Sequence, residues 1–81
     1  KLVVKGQASE QAYIGESKAK KIALRHAGIE TNNIYDYEWD FDSDDGVLVY
    51  EIEFKSGGYE YDYEINAVNG NIIKSEKEAD D

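Results

Sequence analysis

Three segments of the chain repeat one pattern so strictly that they leave little choice of structure. In Ile34-Tyr35-Asp36-Tyr37-Glu38-Trp39-Asp40-Phe41-Asp42, large apolar residues alternate with acids, and Leu48-Val49-Tyr50-Glu51-Ile52-Glu53-Phe54 and Tyr59-Glu60-Tyr61-Asp62-Tyr63-Glu64-Ile65 follow the same rule. A period of two is the period of a β-strand, whose successive side chains point to opposite faces, so each segment predicts a strand with one dry face and one wet one. A shorter fourth strand is expected from Ile72 to Glu76, after a turn containing Asn69-Gly70.

The pattern also constrains register, because a slip of one residue would turn a whole aromatic row to the wrong face. A four-residue loop of Ser43, Asp44, Asp45 and Gly46 would set Phe41 opposite Leu48, Trp39 opposite Tyr50, Tyr37 opposite Ile52 and Tyr35 opposite Phe54. A two-residue Gly57-Gly58 turn would set Phe54 opposite Tyr61, Ile52 opposite Tyr63 and Tyr50 opposite Ile65. A three-residue loop there would oppose Phe54 to Glu60, and paired glycines supply the positive φ that the shorter turn demands. In the last hairpin, the registers that bury Ile73 place Lys74 on the acidic face.

An inward row of twelve large side chains needs a cover. From Glu16 to Ala27, the residues Ala19, Ile22, Ala23, His26 and Ala27 recur at three- and four-residue steps, which predicts an amphipathic helix. Gly15 is a weak N-cap, Glu16 suits the positive end of the helix dipole, Arg25 and His26 suit its negative end, and Gly28 stops it. Its alanines let the helix lie close over bulky rings. The expected fold class is α+β, one helix packed on a three- to four-stranded antiparallel meander sheet. Residues 1–13 have no clean period and read as an extension, with Leu2-Val3-Val4 either a short strand or a tail that orders on docking. The domain proper is set at residues 14–77 and an acidic tail at 78–81.

Eighty-one residues give one core and no room for a large enclosed active site. There is no cysteine, hence no disulfide, thiolate metal site or cysteine nucleophile. A formal net charge of -9 opposes nucleic acid and anionic membrane surfaces and favours cationic partners. No apolar run approaches the length of a membrane span, so direct membrane insertion is not expected. Charge is also uneven: Lys18, Lys20, Lys21 and Arg25 cluster early, whereas residues 36 to 64 hold eleven acids and one base, Lys55.

Taken in succession, several pieces resemble the PepSY domain family. They are Ile14-Gly15-Glu16-Ser17-Lys18-Ala19 with Ala23 and the His26-Ala27-Gly28 stop, then Asp42-Ser43-Asp44-Asp45-Gly46, Val49-Tyr50-Glu51-Ile52-Glu53-Phe54, and Tyr63-Glu64-Ile65-Asn66-Ala67 with Gly70 and Ile72. The chain departs from the family pattern at Gly15, where a capping serine or threonine is common, and at Asn66, where an aspartate is common. The resemblance implies an extracytoplasmic bacterial domain that binds and restrains peptidases by protein–protein contact, with no agreed catalytic residues and no cofactor. The alternative is a structural or assembly module packed against a sister domain of a longer secreted protein.

The candidate partner-binding residues are the outward acids Asp36, Glu38, Asp40, Glu51, Glu53, Glu60, Asp62 and Glu64. The first register above opposes Glu38 to Glu51 and Asp36 to Glu53, and the second opposes Glu53 to Asp62 and Glu51 to Glu64. Like charges so placed are destabilising. The plain reading is a solvated face that aids solubility; the sharper one is a docking surface for a basic partner. Asp40, Asp42, Asp44 and Glu51 imitate the spacing of a calcium loop, but the glycine position holds Asp45 and both flanks are strands. The single histidine, His26, reads as helix-end packing rather than a metal ligand or catalytic base. A flat carboxylate face offers no cleft for sugar hydrolysis.

Overall fold

The computed structural model describes residues 13–80, so the expectation for a strand or tail in residues 1–12 lies outside the described residues. Helix α1 spans Glu16–Ala27, a 3-10 turn spans Thr31–Asn33, and four strands follow: β1 Tyr35–Asp44, β2 Val47–Ser56, β3 Tyr59–Asn66 and β4 Ile72–Ala79. The strands lie in sequence order in one antiparallel sheet. The α+β class and the helix-on-sheet arrangement are therefore as the alternation and the helical period require. β4 runs on through Glu78 and Ala79, which pair with Glu60 and Tyr59.

The middle hairpin has the register expected from its sequence, with Phe54 opposite Tyr61, Ile52 opposite Tyr63 and Tyr50 opposite Ile65 around Gly57-Gly58. The first hairpin does not. Its turn is only Asp45-Gly46, with φ of 54° and 81°, which brings Asp44 opposite Val47, Phe41 opposite Tyr50 and Trp39 opposite Ile52. Asp-Gly takes the mirror-image turn that matches strand twist, so the loop is two residues shorter than expected. A shift of two positions preserves the face of every side chain, and alternation alone could not distinguish the two registers.

Two irregularities complete the sheet. At Asp36, whose φ is 53°, β1 carries an extra residue between Tyr35 and Glu38, and Tyr35 moves opposite Lys55 rather than Phe54. Such a bulge turns the residues beyond it over, so Tyr35 leaves the inward row. In β4 a second shift lets Ile72 pair with Ile65 while Lys74 pairs with Glu64. Ile72, not Ile73, packs against the core, and Ile73 is half exposed.

The core is Ala19, Ala23 and Leu24 of α1 over Tyr50, Ile52, Phe54, Tyr61, Tyr63 and Ile65, closed at one end by Ala67. Leu24 belongs to it although it lies off the alanine stripe read from the sequence. The helix contacts β2 and β3. Trp39 and Phe41, on the inward side of the β1 edge, are left 49% and 41% exposed, and Tyr59 is 41% exposed. The expected full cover of the aromatic row thus fails along the β1 edge and at the start of β3, because a helix of twelve residues with a small-residue face does not span the sheet.

Three tyrosine hydroxyls fasten the helix. Gly15, which has no side-chain cap of its own, donates its backbone N–H to Tyr50 Oη at 3.1 Å. Tyr37 Oη donates to Glu16 Oε2. At the other end, Tyr63 Oη and His26 Nδ1 share a hydrogen bond at 3.0 Å, with the two rings edge to face. Each ring contributes apolar area while its polar tip reaches a helix terminus.

Substituting Phe54, which is wholly buried, by alanine is expected to cost about 3–5 kcal/mol. Phe41→Ala, at the exposed edge, is expected to cost less than about 1.5 kcal/mol. Urea denaturation separates the two, and equal losses would contradict this core boundary.

Candidate functional site

The face opposite the helix is built by the outward half of the alternation. All the acids singled out from the sequence lie there, but the corrected first register changes their pairing: Glu38 stands opposite Glu53 and Asp40 opposite Glu51, while Glu53–Asp62 and Glu51–Glu64 are as expected. The carboxylates form rows across the sheet. One row runs Glu38, Glu53, Asp62, Glu76, and contains no base. The next runs Asp40, Glu51, Glu64 and ends on Lys74. Neighbouring strands are about 4.8 Å apart, so each acid has a like charge on at least one side at close range.

Asp36 and Glu60 stand apart from these rows. Asp36 sits at the bulge with its carboxylate 3.6 Å from Lys55 Nζ, and Lys55 also reaches Asp80 at 3.6 Å. Glu60 lies between Lys55 and Glu78. Lys74 approaches Asp62 and Glu76, each at 3.9 Å. The two lysines therefore neutralise the ends of the face and leave its middle, around Glu38, Glu51 and Glu53, without a contacting cation among the described residues.

Two acids outside the candidate set also belong here: Asp42, the last residue of the first alternating segment, and Asp44, which sequence reasoning assigned to a loop. Because the turn is only two residues long, β1 continues past Asp42 through Asp44, close enough for the Asp44 carboxylate to act on the carboxyl of Glu64. Beneath them Val49, paired with Asp42 and Asn66, is fully buried although it lies on the outward half of β2. Counting the outward acids through Asp42 and on to Asp44 would have found both. Among the described residues, no group of three or more acids or histidine is arranged to hold a metal ion.

The electrostatic consequence is a set of carboxyl groups that hold their protons more tightly than ordinary. Partial burial, then the charges of Asp42, Asp40 and Asp62, push Glu51 up. Burial, then Asp62 and Glu38, push Glu53 up. For Glu64 the causes are burial and then the neighbouring Asp44 carboxylate. The bases too hold their protons more tightly, which for them favours the charged form: Asp62 and Glu76 raise Lys74, and Asp80 raises Lys55.

Elsewhere the surface is open. A hollow of ≈ 450 Å³ lies over the bulge between Asp36, Glu38, Glu53 and Glu60, and a smaller one of ≈ 100 Å³ lies between Glu38, Asp40, Glu51 and Glu53. The arrangement can attract and hold cationic groups. Asn66, at the position where the family commonly has aspartate, accepts from the Val68 and Asn69 N–H groups at 2.8 and 3.1 Å. Its amide oxygen performs the turn-capping job that a carboxylate oxygen would.

Comparison with known proteins gives one family and two relatives. The family model of PepSY, the peptidase propeptide and YPEB domain, matches residues 13–76. The chain is 38% identical over 72 residues to "Uncharacterized protein Spy1430" of Streptococcus pyogenes serotype M6, covering 89% of this chain and 55% of that protein. It is 38% identical over 69 residues to "Uncharacterized protein YkoJ" of Bacillus subtilis strain 168, covering 84% of this chain and 38% of that one. The chain thus spans about half the length, or less, of these relatives. No solved structure matches.

The raised carboxyl groups fix the sign of the pH dependence. The folded state binds more protons than the unfolded one between the unfolded and folded pKa values, so stability falls as pH rises through the folded values and recovers as pH is lowered. The melting temperature is expected to rise as the pH is lowered from neutral towards the ordinary glutamate value of about 4.3. Glu51→Gln, which removes a central charge, is expected to raise it by about 1–5 °C at neutral pH and low salt, from a like-charge cost of roughly 0.2–1 kcal/mol. Differential scanning calorimetry checks both; a fall in either case would contradict the repulsion.

Proposed function

Starting from the fact that the chain belongs to the PepSY family, we propose that it is a non-catalytic, extracytoplasmic binding domain whose acidic sheet face docks a cationic protein surface and so regulates or restrains a peptidase. The observation that carries this reading is the row Glu38–Glu53–Asp62–Glu76. Four acids are set side by side across the sheet, at a cost in stability that a wholly solubilising surface does not require. A basic partner converts that cost into complementarity, since each approaching cation relieves repulsion as well as adding attraction.

The family's description as a peptidase propeptide domain supports a peptidase as the partner. Recognition by a rigid sheet face needs no active site on this chain. It acts by occupying the partner's surface, and the partner's positive charge sets the rate and specificity of docking. A second reading, an assembly module that packs against a neighbouring domain, is favoured by the relatives, which extend well beyond the matched region.

Surface-plasmon titration and inhibition assays against exported peptidases with basic surfaces test the proposal. Binding is expected to weaken by about tenfold or more between low and high salt, and to be lost in the double variant Glu51→Lys/Glu53→Lys. Salt-independent binding that survives the double variant would contradict it.

A further inference from the structure

The two edges of the sheet are finished differently. On β4, Lys77 lies over the Tyr59 ring at 4.3 Å and near Tyr61, and Lys74 sits among the acids, so the edge carries the lysines that commonly guard an exposed strand. β1 has none: Tyr35 to Asp44 contains no base. Its inward side presents Trp39 and Phe41 half exposed, with Tyr13 edge-on to Phe41 at 5.3 Å. Its outward side presents Glu38, Asp40 and Asp42.

The turn determines which backbone groups of β1 face the edge. With only Asp45-Gly46 between the strands, Asp44 and Val47 form the first hydrogen-bonded pair, and hydrogen-bonded pairs recur at every second residue. Asp42 and Asp40 therefore bond to β2, while Ser43, Phe41 and Trp39 direct their N–H and C=O groups away from the sheet. The side chains agree with this assignment. Phe41 N–H donates to Asp40 Oδ1 at 3.2 Å and Ser43 N–H to Asp42 Oδ1 at 2.7 Å, so among the described residues these donors are covered only by the flexible carboxylates of the preceding residues.

We infer that β1 is a strand-addition site, and that its occupant is an extended segment of a partner protein in which cationic and apolar residues alternate. The inference rests on the reading of this chain as a protein-binding domain and names the form of the partner. An added strand would pair with Trp39, Phe41 and Ser43 through its backbone. Its apolar side chains would cover the Trp39 and Phe41 rings, and its cations would meet Glu38, Asp40 and Asp42 on the other face, one reaching the small hollow between Glu38, Asp40, Glu51 and Glu53. The bulge at Asp36 ends regular pairing on one side and the Asp45-Gly46 turn ends it on the other, so the segment is about six residues long.

The probe is an amidated peptide of about eight residues alternating lysine and valine, compared with a peptide of equal composition in block order. Trp39, the sole tryptophan, reports binding by fluorescence, and amide exchange locates it. In the full chain, the Phe41 and Ser43 amides are expected to exchange fast alone and to be protected by the alternating peptide, which binds at least about tenfold more tightly than the block peptide. Asp40→Lys is expected to abolish this binding without lowering the melting temperature, and Glu78→Lys, on the opposite edge strand β4, to retain it. Equal binding of both peptides would overturn the edge inference while leaving the acidic-face reading standing. So would unaltered binding by Asp40→Lys. Absence of peptide binding would also overturn it, as would Phe41 and Ser43 amides already protected in the chain alone, which would show the edge filled by its own N-terminal segment or a second copy.

Discussion

Everything in this domain depends on the pleat that separates aromatic from acidic residues in three consecutive strands. Burying Tyr50, Ile52, Phe54, Tyr61, Tyr63 and Ile65 on one face forces Glu51, Glu53, Asp62 and Glu64 together on the other. The two faces cannot be optimised independently, because the hydrogen-bonded register that aligns the rings also aligns the carboxylates. The hydrophobic contribution of the rings exceeds the repulsion: a buried aromatic side chain contributes about 1.5–3 kcal/mol, against tenths to about 1 kcal/mol for each like-charged pair.

Tyrosine rather than phenylalanine at three inward positions has a reason that appears only with the helix in place. The hydroxyls of Tyr37, Tyr50 and Tyr63 meet Glu16, Gly15 and His26 at the two ends of α1. A helix whose buried face is largely alanine gains limited area from each contact, and polar fastening at both termini fixes its position over the sheet. The Tyr37 phenol is correspondingly reluctant to ionise, raised first by burial and then by the Glu16 carboxylate. Tyr63 is raised chiefly by burial.

The sequence made the helix, the sheet order and the central hairpin legible because each is encoded by a local period or by a turn with one good solution, such as Gly57-Gly58. It did not make the first register legible, since a two-residue shift at Asp45-Gly46 leaves every side chain on its face. The bulges at Asp36 and Ile73 were hidden for a related reason. Each reconciles a local clash between pairing and burial that depends on the partner strand, and neither involves a glycine that would mark it. The candidate face was legible as a set of residues, but its rows were not, and with them went the inclusion of Asp42 and Asp44. The exposed Trp39 and Phe41 were misread as covered because a sequence period gives the direction of a side chain and not the width of what lies over it.

A domain built this way carries rows of negative charge on one face as a direct consequence of folding. The central claim is that burial in the middle of the face, together with the like charges that the register sets beside them, raises the proton affinity of the middle carboxylates. Titration of the side-chain carboxyl carbons of Glu51, Glu53 and Glu64 by nuclear magnetic resonance tests it most directly. The account predicts that all three titrate above the ordinary glutamate value of about 4.3, and that added salt draws them back towards it. Midpoints at or below the ordinary value, unmoved by salt, would contradict it.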